Sequence, residues 1–371
     1  MLKPEKQVFD AWLASAEIPY DWLIPLLYEQ KSSENVFHCL TEQSNQLHHM
    51  IPEGSRQILA SNSCGKKLDE YRRIMDASKI NSITIMEEGY PHCLREIQDP
   101  PGILFYQGNI DVLQRNRYAA MVGSRSATYA GLRASRRISS TLSRNGVIIV
   151  SGLAYGIDSE CHRGCLEGGS PTIAVLGCGL DQAYPAGNDG LKQEILQKNG
   201  LLISEYAPGS KPIGRHFPYR NRIISGLCSV VILMEARIRS GSMTTINHAL
   251  QQGKEIYSYP GDPVSAYSEA NRMLIREGAH YFTEAEEILS DMNWLDNPSY
   301  VRQNIVCSIR NTPGSETESA VYNALLRGEL GFDELLQATG LTSSELMSTL
   351  TLLQIKKLIE PLPGKKYRIS Q

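Results

Sequence analysis

No stretch of this 371-residue chain is apolar for long enough to cross a bilayer. Strongly apolar runs such as Val147–Val150 and Val230–Met234 end within the length of a single β-strand, whereas a membrane helix needs about 20 such residues. The first ten residues mix Lys3, Glu5, Lys6 and Asp10 with few apolar side chains. That is not a secretory signal, and the expected location is the cytoplasm. The eight cysteines include no Cys-x-x-Cys pair and read as reduced, mostly buried thiols. Cys161-His162-x-x-Cys165 has no second ligand pair to complete a tetrahedral site, so no metal is expected. Nucleotide fingerprints are lacking too. Gly177-x-Gly179 meets Gln182 where a dinucleotide motif needs a third glycine, and Gly209-Ser-Lys-Pro-Ile-Gly214 is not followed by Lys-Ser/Thr. There is no Gly-x-Ser-x-Gly elbow and no serine or cysteine beside a second histidine. Neither hydride transfer, ATP hydrolysis nor nucleophilic hydrolysis is indicated, and no cofactor is expected.

An excess of basic charge over the whole chain is also missing: 37 Lys and Arg against 40 Asp and Glu give a net charge of −3. What is present is a local concentration. Arg115, Arg117, Arg125, Arg133, Arg136, Arg137 and Arg144 follow one another with no acidic residue between them. Between Lys211 and Arg239 six basic residues face one acid, Glu235. Such clustering is the electrostatic footprint of a phosphate-rich ligand; on a single cluster, a solvated surface compensated in space is equally compatible.

The organisation along the chain is in three parts. Residues 1–75 read as short helices, at Leu2–Ser15, Asp21–Lys31, Val36–Glu42 and Gly65–Asp76, broken at Pro19, Pro25 and Pro52. They form a small helical domain of the SAM or helix-hairpin-helix kind. Residues 76–292 open with two short strands, Ser82–Met86 and Ile103–Tyr106, then alternate Val/Ile-rich runs with helical stretches. The runs are Ala119–Val122, Val147–Val150, Thr172–Leu176, Leu201–Ser204, Val230–Met234 and Glu255–Tyr259; the helices are Tyr129–Arg144, Gly156–Glu167, Leu191–Lys198, Arg220–Leu227 and Thr244–Gln252. This repeat predicts an α/β domain with a Rossmann-like, doubly wound, mostly parallel sheet. Residues 293–315 are a polar linker. Residues 316–371 carry three helical segments and a hairpin turning at Pro363–Lys366, the pattern of a winged helix. Its third helix opens Ser343-Ser344-Glu345 without a basic residue, which favours protein interaction over duplex reading.

Ligands of such sheets bind at the carboxyl ends of the strands, so the loops there hold the candidates. They are Gly123-Ser124-Arg125-Ser126, Ser151-Gly152 through Gly156 to Asp158, Gly177-Cys178-Gly179, Arg239-Ser240-Gly241-Ser242 and Pro260-Gly261-Asp262. Glycines let the backbone approach an anion, helix N-terminal amides point at it, and arginine forks onto phosphate. In any one loop, a glycine equally well serves only a tight turn. His216-Phe217-Pro218-Tyr219-Arg220-Asn221-Arg222 adds aromatics among arginines. An aromatic face stacks an unpaired base and the arginines hold the phosphates on either side; covering the core is the alternative. Arg125 is expected to start the helix after the first core strand, with Arg220 and Arg222 flanking a loop at Phe217. Asp158 and His162, four residues apart on one helix, read as a structural hydrogen-bonded pair rather than an acid–base couple.

Taken together, Met121-Val-Gly-Ser-Arg125, Val150-Ser-Gly-Leu-Ala-Tyr-Gly-Ile-Asp158 with His162, Thr172-Ile-Ala-Val-Leu-Gly-Cys-Gly-Leu-Asp181 with Tyr184-Pro185, Ser204-Glu205, Phe217-Pro-Tyr-Arg-Asn-Arg-Ile-Ile-Ser-Gly226, Glu235-Ala236 with Ser240-Gly-Ser-Met-Thr-Thr245, and Pro260-Gly261 resemble the DNA-processing protein A (DprA/Smf) family in order over about 180 residues. The sequence departs from that pattern at Tyr155, often arginine in the family, and at Cys161, often alanine. The resemblance implies a non-catalytic protein that binds single-stranded DNA during natural transformation, protects it and loads RecA recombinase, as a homodimer through the Rossmann-like domain. It implies DNA contacts from Gly123, Ser124, Arg125, Ser151, Gly152, Gly156, Phe217, Arg220, Asn221, Arg222, Ser240, Gly241 and Ser242, with Asp158, His162, Glu205 and Glu235 in support. The rival is a nucleotide-cleaving phosphoribohydrolase of the lysine-decarboxylase-like group. Its Pro-Gly-Gly-x-Gly-Thr loop is missing, and Arg239-Ser-Gly-Ser stands in that place.

Overall fold

The structure is a computed structural model describing residues 4–42, 47, 49–262, 264–295, 316–326, 328–355, 358–362 and 366–369. These divide into two compact units, residues 1–294 and 295–371. Most of the 293–315 linker and the tip of the C-terminal hairpin lie outside the described residues.

The first unit opens with helices α1 (Pro4–Ala14), α2 (Tyr20–Gln30), α3 (Ser33–Thr41), α4 (Glu53–Asn62) and α5 (Gly65–Ser78). Pro25 lies inside α2 rather than breaking it, and α4 was not expected from the sequence. Strand β1 (Asn81–Thr84), the single-turn α6 (His92–Arg95) and β2 (Ile103–Gly108) lead into β3 (Tyr118–Val122), α7 (Tyr129–Arg144), β4 (Ile148–Ser151), α8 (Ile157–Gly168), β5 (Thr172–Val175), α9 (Asp189–Gln197) and β6 (Leu201–Ser204). Then come α10 (His216–Gly226), β7 (Val230–Leu233), α11 (Ser242–Gln251), β8 (Glu255–Ser258), α12 (Glu269–Arg276), β9 (His280–Tyr281) and α13 (Ala285–Asp291). The nine strands form one sheet in the order β1-β2-β6-β5-β4-β3-β7-β8-β9. From β6 to β9 every pairing is parallel; β1–β2 and β2–β6 are antiparallel. The Val/Ile runs predicted this. In β3 to β7 each strand is buried throughout, because helices cover both sheet faces; the polar residues at strand ends, Ser151, Thr172 and Ser204, donate their hydroxyls to backbone carbonyls.

One hydrophobic cluster runs from Val8 in α1 to Leu274 in α12, so the helical segment shares its core with the sheet. Buried Asp10 makes this concrete: it accepts hydrogen bonds from Ser33 of α3 at 2.6 Å and Ser82 of β1 at 2.7 Å.

The second unit is a winged helix: α14 (Glu316–Leu325), β10 (Leu330–Gly331), α15 (Phe332–Thr339), α16 (Ser343–Ile355), β11 (Ile359–Leu362) and β12 (Lys366–Ile369), with an antiparallel sheet in the order β10-β12-β11. Leu346, Leu350 and Leu353 of α16 pack on Val321, Leu325 and Leu335. Met347 and Leu352 face outward.

Candidate anion-binding cleft

A cleft of about 590 Å³ opens at the carboxyl ends of β3 and β7, where the strand order reverses direction. That is where an open α/β sheet places its ligand. Gly123, Ser124, Arg125, Phe217, Arg220, Asn221, Ser240, Gly241 and Ser242 all line it, brought together from the loop after β3, from helix α10 and from the segment joining β7 to the start of α11.

The first loop is held by its neighbours. The Ser124 amide donates to the Glu235 carbonyl at 2.7 Å, and Thr128 caps α7 by accepting from the Gly131 amide at 3.1 Å. Buried Glu235 accepts from the Thr128 amide at 2.8 Å and from its hydroxyl, so this carboxylate is engaged at a helix N-terminus, where negative charge is favourable. The helix therefore begins at Tyr129, and Arg125 sits in the preceding turn rather than starting it. Its guanidinium is exposed and lies 5.8 Å from the Phe217 ring centre.

Phe217 is not in a loop. Helix α10 begins at His216, so the ring stands on its first turn. Pro218 is tolerated there because first-turn amides have no intrahelical acceptor. The helix thus starts four residues before the Arg220 expected from the sequence. Phe217 packs beside Tyr184, with ring centres 5.1 Å apart. Asn221 donates to the Thr244 hydroxyl at 2.6 Å, holding the first turn of α11 against α10. In the loop between, Ser240 and Ser242 share a hydroxyl bond of 2.8 Å.

Arg220 forms the floor. Only 4% exposed, it donates to the Gly152 carbonyl at 3.1 Å and, in a shorter bond, to that of Val175, joining the ends of β4 and β5. No carboxylate lies within ion-pair distance of it among the described residues. Burial lowers its pKa to about 10 despite the opposing charge of Asp158. Burial likewise raises the Asp158 carboxyl above its ordinary value, opposed by Arg220 and by the amides of Ala154 and Gly152. Gly152 is confined between the two: a Cβ there would stand 2.6 Å from Arg220 Nη2 and 2.9 Å from Asp158 Oδ2. Gly156, at φ +78°, brings α8 so close to the first loop that a Cβ would lie 2.4 Å from the Ser124 carbonyl oxygen.

Three expectations need correction. Asp158 and His162 form no hydrogen bond with each other. Asp158 accepts from the Gly152 and Ala154 amides at 3.1 and 3.3 Å, while His162 pairs with the Thr172 hydroxyl at 2.8 Å. Burial, with the charges of Arg220 and Arg163, lowers His162 to about 3, so it is neutral at pH 7. Arg222 does not line the cleft. It is on the other face of α10, in a bidentate pair with Glu205 at 2.6 and 2.7 Å. Ser151 and Gly156 lie behind the lining, and the Ser151 hydroxyl is spent on the Met121 carbonyl at 2.7 Å.

The cleft also holds residues the sequence reading did not place among its site residues. Arg237, Arg239 and Tyr184 line it; Arg239 opens the candidate loop after β7, whereas nothing in the sequence pattern aims Arg237 or Tyr184 at the cleft. Tyr155 lines a recess beside the cleft, and its hydroxyl accepts from the Gly187 amide at 3.1 Å. Among the described residues, four arginines (125, 220, 237 and 239) and one carboxylate, Asp158, thus face the space. No group of three or more metal-ligating side chains occurs among the described residues, nor does a helix long and apolar enough to cross a membrane.

Fold and cleft define the class: a Rossmann-like protein with an arginine-lined cleft at the strand-order switch, and a winged-helix unit in the same chain. The chain belongs to the DNA recombination-mediator protein A family, whose model matches residues 81–293; the DprA winged helix domain matches residues 310–365. Among curated relatives it is 40% identical over 228 residues to DNA processing protein DprA of Streptococcus pneumoniae, covering 62% of this chain and 80% of the relative. To Protein Smf of Escherichia coli it is 41% identical over 269 residues, covering 72% and 62%. The crystal structure of the S. pneumoniae protein superposes with a TM-score of 0.63 at 34% identity, over 75% of this chain and 95% of that one. DNA processing protein A from Helicobacter pylori, whose structure concerns its single-stranded DNA binding mode, superposes with a TM-score of 0.53 at 29% identity, over 58% and 95%.

Proposed function

We propose that this chain binds single-stranded DNA in the cleft and acts as a DNA-processing protein in natural transformation, shielding the incoming strand and loading RecA recombinase onto it. It does so in the cytoplasm, as a homodimer through its Rossmann-like unit and without catalysing a reaction on the DNA. The carrying observation is the buried guanidinium of Arg220, held by carbonyls and facing a cleft with three further arginines and one carboxylate. A buried cation with no carboxylate in ion-pair contact among the described residues, and only Asp158 nearby to offset it, is costly, and a phosphate adds the missing contact. Arg125 and Arg220 neutralise phosphates, the Gly123-Ser124 and Ser240-Gly241-Ser242 segments offer amides and hydroxyls to the same anion, and Asn221 holds the second segment in place. Gly152 and Gly156 set the spacing from behind. Phe217, packed on Tyr184, stacks a base. The single-strand binding of the H. pylori relative supports this reading. A nucleotide-cleaving enzyme is not favoured, because Asp158, the one carboxylate lining the cleft among the described residues, is buried and held through Oδ2 by the Gly152 and Ala154 amides.

The test is a gel shift with single- and double-stranded DNA of one sequence over a salt series. Single strands should bind more tightly, with affinity falling as salt rises. Phe217→Ala should cost about 1–3 kcal/mol with an unchanged salt slope, because stacking releases no counter-ions. Equal affinity for duplex, or a flat salt response, would overturn the assignment.

A further inference from the structure

We propose that the DNA path does not end at the cleft but continues along the carboxyl edge of the sheet over two more arginine–aromatic pairs, Tyr129–Arg133 and Tyr267–Arg237. This rests on the single-strand reading above and extends it from Arg237 at the cleft wall to Tyr129, Arg133 and Tyr267 outside the lining. Tyr129, the first residue of α7, is 76% exposed. The guanidinium of Arg133 lies 5.8 Å from its ring centre, one turn further along the helix. Arg133 is itself exposed and forms no ion pair among the described residues. Tyr129 is four positions beyond Arg125, so the two Cα atoms lie within about 14 Å. Arg237, at the cleft wall, places its guanidinium 4.2 Å from the ring centre of half-buried Tyr267, in the segment that follows β8.

The strand order gives these pairs a direction. Neighbouring strands run β5, β4, β3, β7, β8. Tyr184 follows β5, Gly152 follows β4, Arg125 and Tyr129 follow β3, Arg237 follows β7 and Tyr267 follows β8. At about 4.8 Å per strand, the row spans about 19 Å. A single nucleic-acid strand repeats one motif, a flat base and an anionic phosphate. An aromatic face beside a guanidinium is the matching motif on the protein, and the edge presents it three times if Phe217–Arg125 is counted. Duplex DNA would not engage it in this way, since its bases are stacked on one another.

The experiment measures the affinity of the full chain for oligothymidylates of increasing length, about 4 to 16 nucleotides, for the wild type and for Tyr129→Ala, Tyr267→Ala and Arg133→Ala. Each tyrosine variant should weaken the longest oligomer roughly 5- to 150-fold while leaving the shortest unaffected. Arg133→Ala should lower the salt slope by about one on the long oligomer alone. Tyr129→Phe and Tyr267→Phe should bind as the wild type does, because stacking needs the ring and not the hydroxyl. Losses of equal size at every length, losses shared by the phenylalanine variants, or no loss at any length would overturn the extended path. Wild-type protein that binds no oligomer at all would overturn the single-strand reading itself, and this proposal with it.

Discussion

Arg220 and Arg222 leave the same helix two residues apart, and both are buried, at 4% and 3% exposure. Their surroundings are opposite. Arg222 is enclosed by the carboxylate of Glu205, the carbonyl of Asp99 at 2.8 Å and the ring of Tyr219, whose centre is 3.9 Å away. Burial alone would lower its pKa, but Glu205, Tyr219 and Asp99 outweigh it and hold the guanidinium above its ordinary value. Arg220 donates to the Gly152 and Val175 carbonyls and to the Asn221 side-chain oxygen at 3.2 Å, has no carboxylate in contact among the described residues, and falls to about 10 because burial outweighs the charge of Asp158. The sequence places both in one motif and offers no means of telling them apart. The structure separates a cation whose charge is satisfied internally from one whose charge is left for a ligand.

The comparison is broken most directly at Arg222. Arg222→Ala strands the Glu205 carboxylate in a buried site and should cost about 3–5 kcal/mol in urea unfolding. A loss below about 1 kcal/mol, the range of an exposed pair, would mean the pair is not the anchor described. Arg220→Ala should destabilise less, by about 1–3 kcal/mol, the cost of leaving the Gly152 and Val175 carbonyls without a donor. In salt-series binding it should also weaken single-strand affinity and lower the slope by about one. If the two variants unfold alike and Arg220→Ala keeps its slope, the distinction fails. Arg125→Ala should be the mildest for the fold. The side chain is exposed, so stability should stay within about 0.5 kcal/mol by thermal denaturation, while the salt slope again falls by about one.

Most of the sheet was legible because its strands are short Val/Ile runs between helical stretches, a pattern few other architectures produce. The position of the cleft was legible for the same reason: once the strands are known, the loops at their carboxyl ends are known. The functions of individual side chains were less so. Arg222 was misplaced because its partner, Glu205, is 17 residues away and only the fold brings them together. The sequence pattern places Phe217 in a loop, whereas α10 begins at His216 and carries Pro218 in its first turn, where no amide is needed. Asp158 and His162 have the spacing of a helical pair, yet each finds a nearer partner off the helix, in the Gly152 amide and the Thr172 hydroxyl. Arg237 and Arg239 belonged visibly to a basic cluster, but which of its members face one cavity is a property of tertiary packing.

The two ends of the nine-stranded sheet are finished differently from its middle. At one end the antiparallel β1–β2 pair continues the sheet beyond β6, and β1 is mostly buried beneath the N-terminal helices. At the other, β9 contributes two exposed residues, His280 and Tyr281. Neither margin presents a long ladder of unpaired amides and carbonyls, the feature by which β-proteins recruit foreign strands and aggregate. A parallel sheet assembles from distant segments and is slow to complete, so edges that are covered or only two residues long protect the folded protein against association by strand addition.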